Sequence, residues 1–174
     1  MQTKTLGILA VASLLIGMAC SNQHTSSVSY EDHVKESLKQ ADLTDVRVSE
    51  DKDKNTITLS GTVHSEDAKQ DAGKIAQSAA GTRIIVNELS VQPVGAESEA
   101  RDIAKNSDDA IEKNYEAALI AGGLNKEHIN YDAKNGVLKL TGSVRSVPQK
   151  TEALKIAQAI PNVQQVVNEI EVRR

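Results

Sequence analysis

Few side chains in this sequence have chemistry of their own to offer, and their spacing limits what they can do. The only thiol is Cys20, standing where the apolar run Leu6 to Ala19 gives way to a polar stretch. With no second cysteine, no disulfide can form within the chain. A sulfur placed there is suited to alkylation as a thioether. The four histidines, His24, His33, His64 and His128, are scattered without metal-ligand spacing and read as surface residues. Asp51 and Asp53 have the alternating acids of a calcium loop but lack its glycine and terminal glutamate. No nucleophile elbow, phosphate loop or acid pair is present. The expectation is therefore no catalytic residue, no metal and no cofactor, and the chain does not read as an enzyme.

Composition narrows the partners. Acidic residues number 24 against 20 basic ones, which argues against a nucleic-acid binder by charge. Trp and Phe are absent and only Tyr30, Tyr115 and Tyr131 are aromatic, so stacking platforms for bases or sugars are missing.

The elements that position these residues come in two copies. Leu59-Ser-Gly61-Thr-Val63 returns as Leu140-Thr-Gly142-Ser-Val144, a shift of 81 positions (140 − 59). The same shift carries Lys74-Ile-Ala-Gln77 onto Lys155-Ile-Ala-Gln158, and Val86-Asn-Glu88 onto Val167-Asn-Glu169. An echo at a fixed period is the mark of a duplicated folding unit. The units span 27–92 and 107–174, joined by a linker over 93–106 that has Pro93 and Gly95 early and then Glu97 to Ile103, a stretch compatible with helix. Units of this size bury only modest cores.

Within the first unit, Ser27 reads as an N-cap, and Tyr30, Val34 and Leu38 fall on one helix face. Val46 and Val48 alternate as in a strand, and Asp51 to Asn55 is a charged hairpin turn. Ile57, Leu59, Gly61 and Val63 form the inward set of a second strand. Ser65 opens a second helix with the buried stripe Ala68, Ala72, Ile75, Ala76 and Ala79, ended by Gly81. Ile85, Asn87, Leu89 and Val91 make one last alternating strand. In the second unit Asp108 takes the place of Ser27, and Ile111, Tyr115 and Leu119 replace the first stripe. Gly122-Gly123 stops that helix. Ile129 and Tyr131 form the short strand, and Lys134-Asn-Gly136 the turn. Leu138, Leu140, Gly142 and Val144 follow. Ser146 and Gln149 make a capping box for a helix with the stripe Ala153, Ile156, Ala157 and Ile160. Val166, Asn168, Ile170 and Val172 close the sheet. The expected class is α+β: two tandem αββαβ units, each a three-stranded mixed sheet covered on one face by two helices. Gly61 and Gly142 lie on the inward phase, where a side chain would strike the second helix. Asn87 and Asn168 also point inward and are expected to bond local backbone.

These residues resemble the BON domain (bacterial osmotically inducible and nodulation domain). The Leu-x-Gly-x-Val strand, the Lys-Ile-Ala helix and the closing Val-x-Asn match in order, twice, with Thr82 where a Val is expected. The N-terminus resembles a bacterial lipoprotein signal over 1–20, followed by a short tether over 21–26. Lys4 gives the positive start, the apolar run is too short to span a bilayer, and Cys20 is the lipidation residue. The alternative is ordinary cleavage near Ala19. Ser21, where the enteric pattern reads an inner-membrane retention Asp, points to the outer membrane. Together these features resemble dual-BON outer-membrane lipoproteins.

The resemblance implies a non-enzymatic periplasmic protein that supports envelope integrity or osmotic-stress tolerance. It implies contact between anionic phospholipid and the first helix of the second unit. Residues 27–92 carry 8 Lys or Arg and 12 Asp or Glu, whereas 107–174 carry 9 of each, so the second unit is less repelled by an anionic surface. Lys113, Lys126, Lys134 and Arg145 are the lipid-contact candidates, each able to add about 1 kcal/mol. Ala110 and Glu116, beside Ile111 and Tyr115, offer neither insertion nor headgroup attraction. Two alternatives stay open: an envelope protein-interaction module using Thr58, Ser60, Thr62, Lys139, Thr141 and Ser143, and a soluble periplasmic stress-response holdase.

Overall fold

A computed structural model describes residues 29–173. The signal-like segment, Cys20, the tether and Ser27 lie outside the described residues. The first helix, α1 (Tyr30–Gln40), is capped by Ser29, not Ser27: the Ser29 hydroxyl accepts from Asp32 N at 3.1 Å. Val34 and Leu38 are buried, while Tyr30 at the start is exposed. Strands β1 (Val46–Asp51) and β2 (Thr56–Val63) pair antiparallel. Helix α2 (Glu66–Ala79) follows, capped by Ser65. The last strand runs parallel to β2 in two pieces, β3 (Ile84–Asn87) and β4 (Ser90–Val91). The alternating pattern predicts a single strand here. The Asn87 side chain causes the break, because its Oδ1 accepts from Leu89 N at 3.3 Å and draws that amide aside. Both pieces keep one register on β2, so the unit remains three strands wide.

The second unit repeats this plan with α3 (Glu97–Ala121), β5 (His128–Lys134), β6 (Val137–Val144), α4 (Val147–Gln158), β7 (Gln165–Asn168) and β8 (Glu171–Val172). Again the middle strand pairs antiparallel with the first and parallel with the last. Helix α3 begins ten residues before Ser107, so the later half of the linker is helical and continuous with the second unit. Asp108 therefore caps nothing. It sits inside the helix, and its carboxylate accepts from Asn135 N at 2.7 Å and Gly136 N at 3.0 Å, fixing the β5–β6 turn.

The helices of each unit cover one sheet face over a separate core. Ile57, Leu59, Ala72 and Leu89 anchor the first core, and Tyr115, Leu138, Leu140 and Ile170 the second. Burying each such large apolar side chain stabilises by roughly 1.5–3 kcal/mol. The glycines of the repeated strand meet a different obstacle from the one expected. A Cβ on Gly61 would stand 2.5 Å from Asp45 O, and one on Gly142 would overlap His128 O. Both φ angles are positive, +121° and +96°. Backbone at the start of the neighbouring strand, not the helix, excludes a side chain there.

The copies also exchange two residues between loops. Val48 pairs with Leu59, but Tyr131 pairs with Leu140, a shift of 83 (131 − 48) in place of 81. The first hairpin turns through Lys52–Asn55 and the second through Asn135-Gly136 alone, where both residues have positive φ. The loop after the first helix is correspondingly longer in the second copy, which restores the period.

Candidate functional site

The two units meet along their last strands. Val86 of β3, Val167 of β7 and Val137 of β6 form a small apolar cluster apart from either core. Val86 and Val167 are equivalent positions (86 + 81), and contact between equivalents is the mark of an isologous, two-fold-like interface. The flanking charges obey the same relation. Lys134, from the second hairpin, reaches Glu88 at 2.8 Å; Lys54, from the first, reaches Glu169 at 2.7 Å. The repeated Val-Asn-Glu is thus the surface through which one copy holds the other.

Polar groups complete the contact. Lys69 on α2 is buried, and its ammonium donates to Asn135 O at 2.9 Å. Burial pushes its pKa below the ordinary lysine value, while Glu66 and Asp108 pull it back up. Asn135 Nδ2 donates to Glu88 O at 2.8 Å. Gln165 lies against the outer edge of β3, its Nε2 donating to Ile85 O at 2.6 Å and its Oε1 accepting from Asn87 N at 3.3 Å. The inward asparagines do bond local backbone: Asn87 Oδ1 accepts from Leu89 N at 3.3 Å and Asn168 Oδ1 from Ile170 N at 3.1 Å, and Asn87 Nδ2 also reaches α2, donating to Lys69 O at 2.8 Å.

The four candidate bases are not brought together. Lys113 is exposed on α3. Lys126 and Arg145 lie at one end of the second unit, where α3 and β6 finish and β5 and α4 begin. Arg145 is 80% exposed and stands 3.7 Å from Glu127. Lys134 lies at the opposite end of the hairpin, already paired across the unit interface. Beside Lys126 and Arg145 this end exposes two large apolar side chains, Ile120 and Val147. Ile120 is on the same helix stripe as Lys113, seven residues on.

Tyr115 is core. Its hydroxyl donates to Ala153 O at 3.2 Å, and its ring meets Tyr131 edge-on at 5.3 Å. Desolvation holds both phenols above the ordinary tyrosine pKa. In the first unit the equivalent positions are the core valines Val34 and Val48, and its polar cluster lies elsewhere, around Arg83. Arg83 bonds Glu50 at 2.6 Å and Asn55 Oδ1 at 2.7 Å, and its guanidinium lies 4.4 Å from the centre of the Tyr30 ring. Sequence reading missed Lys69, Gln165 and Arg83. Gln165 and Arg83 carried a signal in their failure to repeat, since Ile84 and Gln164 stand at the equivalent positions. Lys69 carried none, because Lys150 repeats it.

Among the described residues, no group of three or more His, Cys, Asp or Glu is placed to hold a metal ion. No described helix is long and apolar enough to cross a membrane. The described residues form a tandem pair of small αββαβ modules. The BON domain model matches residues 28–93 and again 107–174, so the chain belongs to the BON domain family. It is 29% identical over 131 residues to the osmotically-inducible protein Y of Escherichia coli (strain K12), covering 75% of this chain and 63% of that protein's length. Among solved structures it resembles two of CdsD, a structural protein of the type III secretion system of Chlamydia trachomatis. Each is 12% identical with a TM-score of 0.35. They cover 81% and 82% of this chain and 90% and 96% of theirs, and overlap at that score carries no weight for fold or function.

Proposed function

We propose that this protein is a non-enzymatic component of the bacterial envelope that contributes to osmotic-stress tolerance and envelope integrity. It is held at the periplasmic face of the outer membrane by acylated Cys20 and touches anionic phospholipid with its second BON unit. The stress role is inferred from similarity to a relative named as osmotically inducible. The observation that carries the lipid contact is the end of the second unit, where exposed Ile120 and Val147 accompany Lys126 and Arg145. Apolar side chains that enter a headgroup layer, with bases beside them that attract it, are what a weak interfacial site requires. Two bases supply about 1 kcal/mol each. That is far less than acyl chains, at about 0.8 kcal/mol per buried methylene, so the anchor provides retention and the protein surface provides orientation.

Titration with phosphatidylglycerol vesicles, read by amide shifts, tests the contact. Shifts should centre on residues 113–126 and 145–147 and be absent with phosphatidylcholine. Lys126→Glu with Arg145→Glu should abolish them. Shifts elsewhere, or none, would refute lipid contact at this end. The mass of the mature protein from cells tests the anchor separately: an N-terminal triacylated Cys20 is expected, and a free thiol or cleavage elsewhere refutes it.

A further inference from the structure

The two copies treat the outer edge of their last strand differently. In β3, Ile85 C=O and Asn87 N–H point away from β2, and the Gln165 carboxamide occupies both. A side-chain amide there stands in for a neighbouring strand. The matching groups in β7 are Val166 C=O and Asn168 N–H (85 + 81 and 87 + 81). Glu169 N donates to Leu140 O at 2.8 Å and Gln165 N to Gly136 O at 3.3 Å. By strand alternation, Val166 and Asn168 therefore turn their backbone groups outward. Among the described residues neither Val166 O nor Asn168 N has a hydrogen-bond partner across this edge.

The residue standing where Gln165 would stand by symmetry is Ile84 (84 + 81 = 165). Its side chain can neither donate nor accept, and it is 52% exposed. The open edge faces a groove of about 620 Å³, with Val166 and Asn168 on one side and Lys54, Thr56 and Ile84 of the first unit on the other. Lys150 and Arg173 also line it, as do Glu169 and Glu171; Glu169 is taken up by Lys54 and Lys139, so among the described residues the two bases that form no ion pair outnumber the one such acid, Glu171. Unpaired sheet edges are templates for another strand, and proteins ordinarily cover them. Here one edge is covered by a glutamine and its duplicate is left open beside an exposed isoleucine.

We propose that the outer edge of β7 receives an extended segment of a partner protein by strand addition. The segment's backbone pairs with Val166 O and Asn168 N, an apolar side chain rests on Ile84, and acidic residues face Lys150 and Arg173. A second copy of this chain is the poorer occupant. It offers only its own β7, lying in the same groove and flanked by the same Lys54 and Ile84, and two edges recessed in this way do not reach one another. A single extended chain does. The groove shares no residue with the lipid contact, and strand addition there does not depend on lipid.

Ile84→Gln is the discriminating variant, because it supplies to β7 the amide that Gln165 supplies to β3. The position is exposed, so the fold should be unaffected, which the amide spectrum will show. Immobilised protein is used to select from a phage-displayed library of random linear peptides. Enriched sequences should alternate apolar and acidic residues, and should protect the Asn168 amide from hydrogen exchange on binding. They should lose affinity about tenfold on Ile84→Gln, the worth of one or two backbone hydrogen bonds. N-methylation of alternate peptide amides should have a similar effect. No enrichment, or peptides that bind Ile84→Gln equally, overturns the proposal. A concentration-dependent dimer that Ile84→Gln abolishes overturns it in favour of a second copy.

Discussion

The guanidinium of Arg83 is engaged on three sides, by Glu50, by Asn55 and by the Tyr30 ring. The Glu50 side chain it faces is only 3% exposed, with Oε2 lacking any other partner. Removing one member of so sheltered a pair leaves an uncompensated charge, which costs about 3–5 kcal/mol. Arg83→Leu should lower stability by that amount in urea titration, and a loss below about 1 kcal/mol would mean the pair is solvated. Gly142 makes a steric prediction. Alanine there must both adopt positive φ and displace His128 O, so Gly142→Ala should cost more than the roughly 1–3 kcal/mol of a strained backbone alone. Gly95, with positive φ and open space around it, is the control that isolates the clash. Lys69 makes a prediction about pH. Burial lowers its folded pKa below 10.5, so between that depressed value and 10.5 the unfolded chain holds more protons. Stability contributed at this site therefore rises with pH across that window. The stability difference between the wild type and Lys69→Met should move in favour of the wild type as pH climbs toward 10.5. A flat or falling difference would show that Lys69 is not desolvated in solution.

At the scale of elements, the Gln165 amide serves as a surrogate strand on β3. Gln165→Ala should raise hydrogen exchange at the Asn87 amide toward the rate of Asn168, while Glu88 N, bonded to Leu59 O, keeps its protection. Equal rates at Asn87 and Asn168 in the wild type would remove the asymmetry altogether. The elements themselves were legible because periodicity reports burial. Ile57, Leu59 and Val63, and their copies, alternate on a face that is buried, and Ser65 and Ser146 carry hydroxyls that cap. The first turns of helix α3 were less legible. Residues 97–106 show no apolar stripe, and Ile103 is exposed, so nothing in the pattern separated helix from linker. The break between β3 and β4 was hidden for another reason: it depends on where the Asn87 side chain turns, and both outcomes share one sequence. Contacts between the units left no periodic trace. Their only sign was that Val-Asn-Glu, with an outward Val and Glu, repeats as faithfully as the core does.

Over the whole molecule, that outward triplet turns a duplication into a two-fold-like pair. Each hairpin lysine takes the other unit's glutamate, and the equivalent valines meet between them. With their lysine ends exposed and screened, the ion pairs contribute only about 0.2–1 kcal/mol each, so the valine cluster holds the units together more strongly than they do. Three partly shared valines supply at most a few kcal/mol, since full burial of one yields roughly 1.5–3 kcal/mol. Burying an unpaired carboxylate costs several kcal/mol. Val137→Asp should therefore separate the units, because exposing the cluster costs less than burying the charge. Neither core is breached, as Val137 faces away from Leu138 and Leu140. Calorimetry should show one cooperative transition in the wild type and two in Val137→Asp, with the Asn87 amide, bonded across the units to Gln165, losing protection while Glu88 N, bonded to Leu59 O, and Glu169 N, bonded to Leu140 O, retain theirs. A single transition at lower temperature in the variant would mean that the three valines belong to a common core, and that the copies fold as one body in place of two that clasp.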